Sequence, residues 1–214
     1  GPVLFFGNEF FDSIPIKQFK RKKNILYEKF YSLDINDNIN EIFKKAKSKE
    51  NIQIKKFKTI EKLRFIEFPQ LGFAELKKIT AKILKHSGGL LLIDYGYLTS
   101  NNKNTLQSVI KHKRNNLLEN LGKADITSLV NFNLLKEFLL NNNLKVKKIV
   151  TQKFFLERMG IMERADQISK KMSFSEKSNL YLRLRRLLDN KFMGDLFKVI
   201  FAYKFKKNKF LGFQ

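Results

Sequence analysis

The run Val3-Leu4-Phe5-Phe6 is apolar without interruption and meets Gly7, then the polar residues Asn8, Glu9 and Asp12 set among Phe10 and Phe11. A continuous apolar run of this length suits a strand buried on both faces, as in the parallel sheet of an α/β domain. Ligands of such sheets bind outside the carboxyl ends of the strands, which makes Asn8, Glu9 and Asp12 the leading site candidates. Taken alone, the stretch fits equally well an ordinary core strand that runs into a turn with solvated acids.

A second run of the same kind, Gly89-Leu90-Leu91-Leu92-Ile93, ends on Asp94-Tyr95-Gly96-Tyr97. It again puts an acid at a strand's carboxyl end, followed by a glycine that permits a tight turn. Before it, Phe73, Leu76, Ile79, Ile83 and Leu84 form one helical stripe over residues 71–86, and Gly88-Gly89 are expected to end that helix. A helix feeding directly into a buried strand is half of an alternating α/β unit.

With 214 residues, 43% of them hydrophobic and 22 of them Phe, the chain can bury a sizeable core in one domain. The formal net charge of +23 would ordinarily suggest nucleic acid or an anionic membrane as partner. The cations are overwhelmingly lysine, however, with eight arginines among 43 basic residues. Arginine is the residue suited to bidentate recognition of phosphates and bases, so sequence-specific nucleic-acid binding is not expected. The absence of cysteine excludes disulfides and thiolate metal sites, and His86 and His112 are too few for a typical zinc site. No apolar run approaches the ~20 residues that span a bilayer, so no membrane insertion is expected.

Taken in order, the alternation around Arg21-Lys22-Lys23-Asn24 predicts a hairpin with a polar turn. Ile39, Ile42, Phe43 and Ala46 predict a short exposed helix over residues 38–50, and residues 52–68 two short strands. Glu67 stands just before Phe68-Pro69 as a strand-end carboxylate. Residues 97–130 show little periodicity yet hold Gln107, His112, Asp125 and Thr127. Long irregular stretches inside a domain are more often functional than idle. A helix over 132–140, a strand over 145–150, helices over 153–171 (interrupted near Gly160) and 176–188, and a last strand over 196–205 complete the reading. Arg183, Arg185 and Arg186 share one helix, with a solvated face as their default role. No repeat or low-complexity linker appears, so one domain over residues 1–214 is expected.

The motifs NEFFDSIPIKQF (8–19), LLIDYGY (91–97), NTLQSVIKHK (104–113), GKADIT (122–127) and TQKFFLERMGI (151–161), in this order and at these separations, resemble the MidA-type class I S-adenosylmethionine-dependent methyltransferases. That family includes a mitochondrial protein-arginine methyltransferase needed for respiratory complex I assembly. Glu67 also matches a recurrent acid of the family.

The resemblance implies an α/β fold with a class I methyltransferase (Rossmann-like) sheet ordered 3-2-1-4-5-7-6. Residues 3–6, 90–93, 145–150 and 196–205 would be its strands four, five, six and seven, with a hairpin insertion and extra helices. Strands one to three would be absent, and with them the glycine-rich loop at the cofactor's methionine portion. The chain would thus be the carboxyl-terminal part of the methyltransferase domain, including substrate-side insertions. Asn104 and Asn131 depart from the family, which usually has Asp there.

The same resemblance implies S-adenosyl-L-methionine as cofactor, a protein substrate such as a complex I subunit, and a place in the bacterial cytoplasm or mitochondrial matrix. By position, Glu9 and Asp12 are the expected catalytic residues and Asn8 the cofactor-side residue. Asp94, Tyr95, Gly96, His112, Asp125 and Thr127 are expected on the substrate side. Two other readings of the sequence are a non-catalytic interaction module without the cofactor half, and a basic nucleic-acid binder.

Overall fold

β1 (Val3–Asn8) ends on the first of the leading candidates, Asn8. The computed structural model describes residues 1–99, 102–111, 113–206 and 210–214. They form two units: Gly1–Phe10, Ile79–Tyr97 and Leu139–Gln214 make the first, Phe11–Lys78 and Leu98–Phe138 the second.

In the first unit β1 lies parallel to β6 (Gly88–Tyr97), in register from Val3↔Gly88 to Asn8↔Ile93. The other side of β6 pairs antiparallel with β13 (Phe197–Lys204), from Phe197↔Tyr95 to Lys204↔Gly88. β11 (Lys145–Val146) and β12 (Val150–Thr151) each run antiparallel to β13, giving the order β1-β6-β13-β11. The expected single strand over 145–150 is thus two short ones. Burial on both faces, expected for β1, is found instead in β6 and β13, which have neighbours on either side. β1 alternates half-buried and exposed residues, with Leu4 70% and Phe6 63% exposed. Among the described residues, β1 ends the order of its sheet, so an apolar run need not be a covered one.

The helix predicted over 71–86 is α3 (Gln70–His86), whose last residues from Ile79 belong to the first unit. The residue that turns the chain after it is Ser87, at φ 61°, rather than a glycine. Gly88 and Gly89 are instead the first residues of β6. Gly88 has φ 138°, and a Cβ there would lie 1.8 Å from the Val3 carbonyl oxygen. At Gly89 a Cβ would meet the Phe201 ring at 2.7 Å. These glycines let β1 and β13 approach β6 closely.

α5 (Gln152–Arg158) is capped by Thr151, whose hydroxyl accepts from the Phe154 amide. Gly160, at φ 79°, separates it from α6 (Ile161–Ser169), as its place in the sequence suggests. α7 (Phe174–Leu188) starts with a capping box between Ser173 and Glu176. α8 (Met193–Leu196) leads into β13. The core joins Ile93, Phe155, Phe197 and Val199, with Leu91, Tyr95, Val150, Leu156, Met193 and Phe213 packed around them.

The second unit contains the antiparallel sheet β4-β3-β2-β5, made of β2 (Lys17–Lys22), β3 (Ile25–Leu33), β4 (Ile39–Lys45) and β5 (Phe65–Phe68). β2 and β3 form the expected hairpin. Its two-residue turn, Lys23-Asn24, has both residues at positive φ, the geometry that matches strand twist.

The helix expected over 38–50 is not formed. The Asp34 carboxylate accepts the Asn36 and Asn38 amides, each at 2.9 Å, and turns the chain back. Residues 39–45 then pair with β3 as β4. Seven ladder positions outweigh a weak helical spacing. The two strands expected over 52–68 are likewise corrected: helices α1 (Ser48–Ile54) and α2 (Lys58–Glu61) precede the single strand β5. Glu137, on α4 (Phe132–Asn141), supplies the cap for α2. Its carboxylate accepts the amides of Lys58 at 2.8 Å and Thr59 at 3.0 Å, and the Thr59 hydroxyl at 2.6 Å. No local sequence signal points to such a cap.

The weakly periodic stretch contains a small sheet, β8-β7-β9, from β7 (Gln107–Ile110), β8 (Lys113–Asn115) and β9 (Asp125–Thr127), followed by β10 (Val130–Asn131). Much of the Phe-rich composition goes into this unit's core. Phe57, Phe68, Phe73 and Phe138 pack together, Phe73 stacking on Phe138 at 4.3 Å between centroids.

The close approach at Gly88 makes a sharp prediction. Gly88→Ala should destabilise the fold by about 2 kcal/mol or more, because both the left-handed φ and the Val3 carbonyl oppose a methyl group. Urea unfolding measures this; an unchanged midpoint would contradict the close packing of β1 on β6.

Candidate functional site

At the carboxyl end of β1 the ladder to β6 ends in an unusual way. The Glu9 amide donates to the Ile93 carbonyl oxygen at 3.0 Å, which is the last rung. Glu9 itself then takes φ 48°. A left-handed glutamate is strained by roughly 1–2 kcal/mol, and such strain gathers at functional sites. The next amide, that of Phe10, donates to the carboxylate of Asp94 at 3.1 Å (Oδ2), while Oδ1 accepts the Tyr95 amide at 2.9 Å. Asp94 is only 2% exposed, whereas Asn8 and Glu9 are open to solvent. The Asn8 side-chain amide leans toward Glu9 Oε1 at 3.5 Å. The first unit therefore brings Asn8, Glu9, Asp94 and Tyr95 together, with Gly96 continuing β6.

Asp12, Asp125 and Thr127 belong to the second unit. Asp12 is 6% exposed, and its carbonyl oxygen accepts the Ser128 amide at 3.0 Å. Thr127 accepts from the Gln107 side-chain amide at 3.3 Å, and Asp125 is paired with Val109 in the β7–β9 ladder. His112 lies outside the described residues.

A polar cluster that the motifs only hinted at surrounds Glu67. Its Oε1 accepts the Gln18 side-chain amide at 2.9 Å and the Thr105 amide at 3.0 Å, and its Oε2 accepts the Thr105 hydroxyl at 2.5 Å. Thr105 Oγ1 in turn accepts the Leu129 amide at 3.0 Å. Gln18 also donates to Asn104 Oδ1 at 2.7 Å, and the Leu106 amide reaches the same oxygen at 3.2 Å. Asn104 thus works here as an acceptor, which an amide oxygen does as well as the carboxylate usual in the family. Asn131 is equally well suited to its place: its side-chain oxygen accepts the Leu134 amide at 3.1 Å at the start of α4, a role Asn and Asp fill alike.

Lys17 Nζ lies 2.8 Å from Glu28 and 3.0 Å from Glu50, both buried. Burial opposes the Lys17 charge, but its hydrogen bonds to the two carboxylates and their charges hold the ammonium above its usual range. Burial would raise Glu50; the hydrogen bond from Lys17 chiefly reverses this, and the carboxyl sits below its usual range. By linkage, the Glu50 contribution to stability is complete above the ordinary carboxylate range and is lost as pH falls through its folded value. That of Lys17 is complete below the ordinary lysine range and is lost as pH rises through its folded value.

Among the described residues no cluster of His, Asp and Glu suits a metal ion. No helix among them is long and apolar enough to cross a membrane.

A family model described as "Putative S-adenosyl-L-methionine-dependent methyltransferase" matches residues 1–150. The chain belongs to this MidA-type family of S-adenosylmethionine-dependent methyltransferases. It is 29% identical over 170 residues to the Caenorhabditis elegans homologue of the mitochondrial protein arginine methyltransferase NDUFAF7, covering 77% of this chain and 39% of that protein. To the zebrafish (Danio rerio) NDUFAF7 it is 25% identical over 198 residues, covering 92% and 46%. The chain therefore spans less than half the length of these relatives.

Two solved structures from Burkholderia thailandensis share the fold, each at 20% identity and over 99% of this chain. One superposes with a TM-score of 0.81 over 57% of its own length. The other, described as a "likely methyl transferase" bound to S-adenosyl-homocysteine, superposes with a TM-score of 0.77 over 56%.

The Glu67 cluster can be tested directly. Glu67→Gln keeps the shape but turns an amide NH2 toward one of three donors, so it should lower stability by about 1–3 kcal/mol in urea unfolding. An unchanged midpoint would mean that these bonds do not hold the unit together.

Proposed function

We propose that this chain is the carboxyl-terminal part of a protein-arginine methyltransferase whose reacting carboxylates are Glu9 and Asp12. The observation that carries the reading is the left-handed Glu9 at the carboxyl end of β1, exposed at the tip of a turn tied to Asp94. The order β1-β6-β13-β11, with β1 parallel and β13 antiparallel to β6, fits strands four, five, seven and six of a class I methyltransferase sheet. On that reading, the remaining strands and the glycine-rich loop belong to the part of the relatives that this chain does not span.

The residues present suit one side of a cofactor site. Asn8 offers an exposed amide beside Glu9, able both to donate and to accept. S-adenosyl-L-methionine, when bound, would supply an electrophilic methyl group on a sulfonium, whose S–CH3 bond breaks as the methyl is transferred, leaving the thioether S-adenosyl-homocysteine. A guanidinium presents planar paired donors, which carboxylates grip in bidentate fashion. Glu9 and Asp12 would fix the direction of the attacking nitrogen and compensate the arginine's charge. As its new N–C bond forms, the nitrogen must lose a proton, and a carboxylate accepts it. The family resemblance, and not the geometry, assigns Tyr95, Gly96, His112, Asp125 and Thr127 to the substrate side.

The names of the relatives support a protein arginine as acceptor. A respiratory complex I subunit is the candidate target on the family resemblance alone. The relatives' mitochondrial location supports the matrix as the working compartment in a eukaryote, and the bacterial cytoplasm is its counterpart.

In the complete enzyme, Glu9→Gln should lower turnover about a hundredfold while leaving the affinity for S-adenosyl-homocysteine and the fold intact. Asp12→Asn should act in the same direction, less severely. Transfer of labelled methyl to protein arginine measures both. Parental rates in both variants would make these carboxylates structural and overturn the assignment.

A further inference from the structure

We propose that Asp94 is a positioning residue that holds Glu9 in its working conformation through the backbone; this rests on the reading of Glu9 as catalytic. The β1–β6 ladder would ordinarily continue on main-chain carbonyls. Here it passes, after the rung from the Glu9 amide to Ile93, to a side chain. The Asp94 carboxylate takes the Phe10 amide with one oxygen and the Tyr95 amide with the other. It thus stops the ladder where the chain must turn, and holds the peptide plane that follows Glu9 against the end of β6.

A left-handed glutamate persists only where its surroundings over-determine it. Charge-assisted hydrogen bonds to a buried carboxylate are stronger than neutral ones and can hold such a conformation. Each oxygen of the Asp94 carboxylate accepts a backbone amide, so its effect on the reaction passes through the turn. The choice of aspartate also has a chemical reason. Both neighbours are donors, and a carboxylate accepts from both, whereas an asparagine would turn its NH2 toward one of them.

The test combines amide exchange and a double-mutant cycle, both in the complete enzyme. There the Phe10 amide should exchange at least tenfold more slowly than an open loop amide, although the Phe10 side chain is exposed. Asp94→Asn should abolish that protection and lower turnover about tenfold with little change in KM for S-adenosylmethionine. Glu9→Gln combined with Asp94→Asn should be no slower than Glu9→Gln alone, within about twofold, because the turn has nothing left to position. A merely structural Asp94 would instead multiply the two losses.

The outcomes separate the two claims. Parental turnover in Glu9→Gln overturns both. Loss in Glu9→Gln with parental turnover in Asp94→Asn, or with multiplied losses in the double variant, overturns the positioning role alone. Fast exchange at Phe10 in the unsubstituted enzyme does so as well, even where Asp94→Asn fails to fold.

Discussion

The parallel pairing of β1 on β6 is the constraint on which the first unit depends. It is made possible at one end by Gly88, which admits the Val3 carbonyl, and closed at the other by the carboxylate of Asp94. Between these ends every register position is fixed, from Val3↔Gly88 to Asn8↔Ile93. Because the ladder stops there and not a residue later, the first amino acid beyond it, Glu9, takes a conformation that a glutamate adopts only under constraint. Sheet geometry and candidate chemistry therefore meet in one turn.

The second unit is held by different means. Its apolar centre is a cluster of phenylalanines, but its polar ties give the loops their places. Glu67 draws Gln18 and Thr105 to one carboxylate, and Thr105 passes the order on to Leu129. Glu137 caps a helix from far along the chain, and Lys17 joins two buried acids. Apart from Lys17–Glu28 within the β2–β3 hairpin, these bonds link segments distant in sequence. A buried polar network of this kind is stable only while every member is satisfied, which makes single substitutions within it informative.

How much of this can be read in the sequence differs by kind of signal. The buried run 90–93, the stripe of α3, the polar hairpin turn and the break at Gly160 are local patterns, and the fold follows them. Residues 39–45 fail as a helix because their fate is decided by pairing with β3, a tertiary effect that spacing does not carry. β1 reads as doubly buried because apolar content reports capacity for burial and not the presence of a neighbour. The family is legible from ordered motifs, which also single out Asn8, Glu9, Asp12 and Asp94. What they cannot convey is the geometry: that Asp94 faces backbone amides, that Glu9 is left-handed, and that the side-chain oxygens of Asn104 and Asn131 accept hydrogen bonds.

If the strain at Glu9 is kept for chemistry, relieving it should raise stability and cost activity, and the substitution Glu9→Gly relieves it. Glycine adopts a positive φ without steric penalty, partly offset by its greater freedom in the unfolded chain. The variant should gain about 0.5–1 kcal/mol, a rise in Tm of roughly 1–4 °C for a chain of this size, while the complete enzyme loses methyl transfer to arginine. A lower Tm, or undiminished transfer, would show that the Glu9 conformation is not strain held for chemistry.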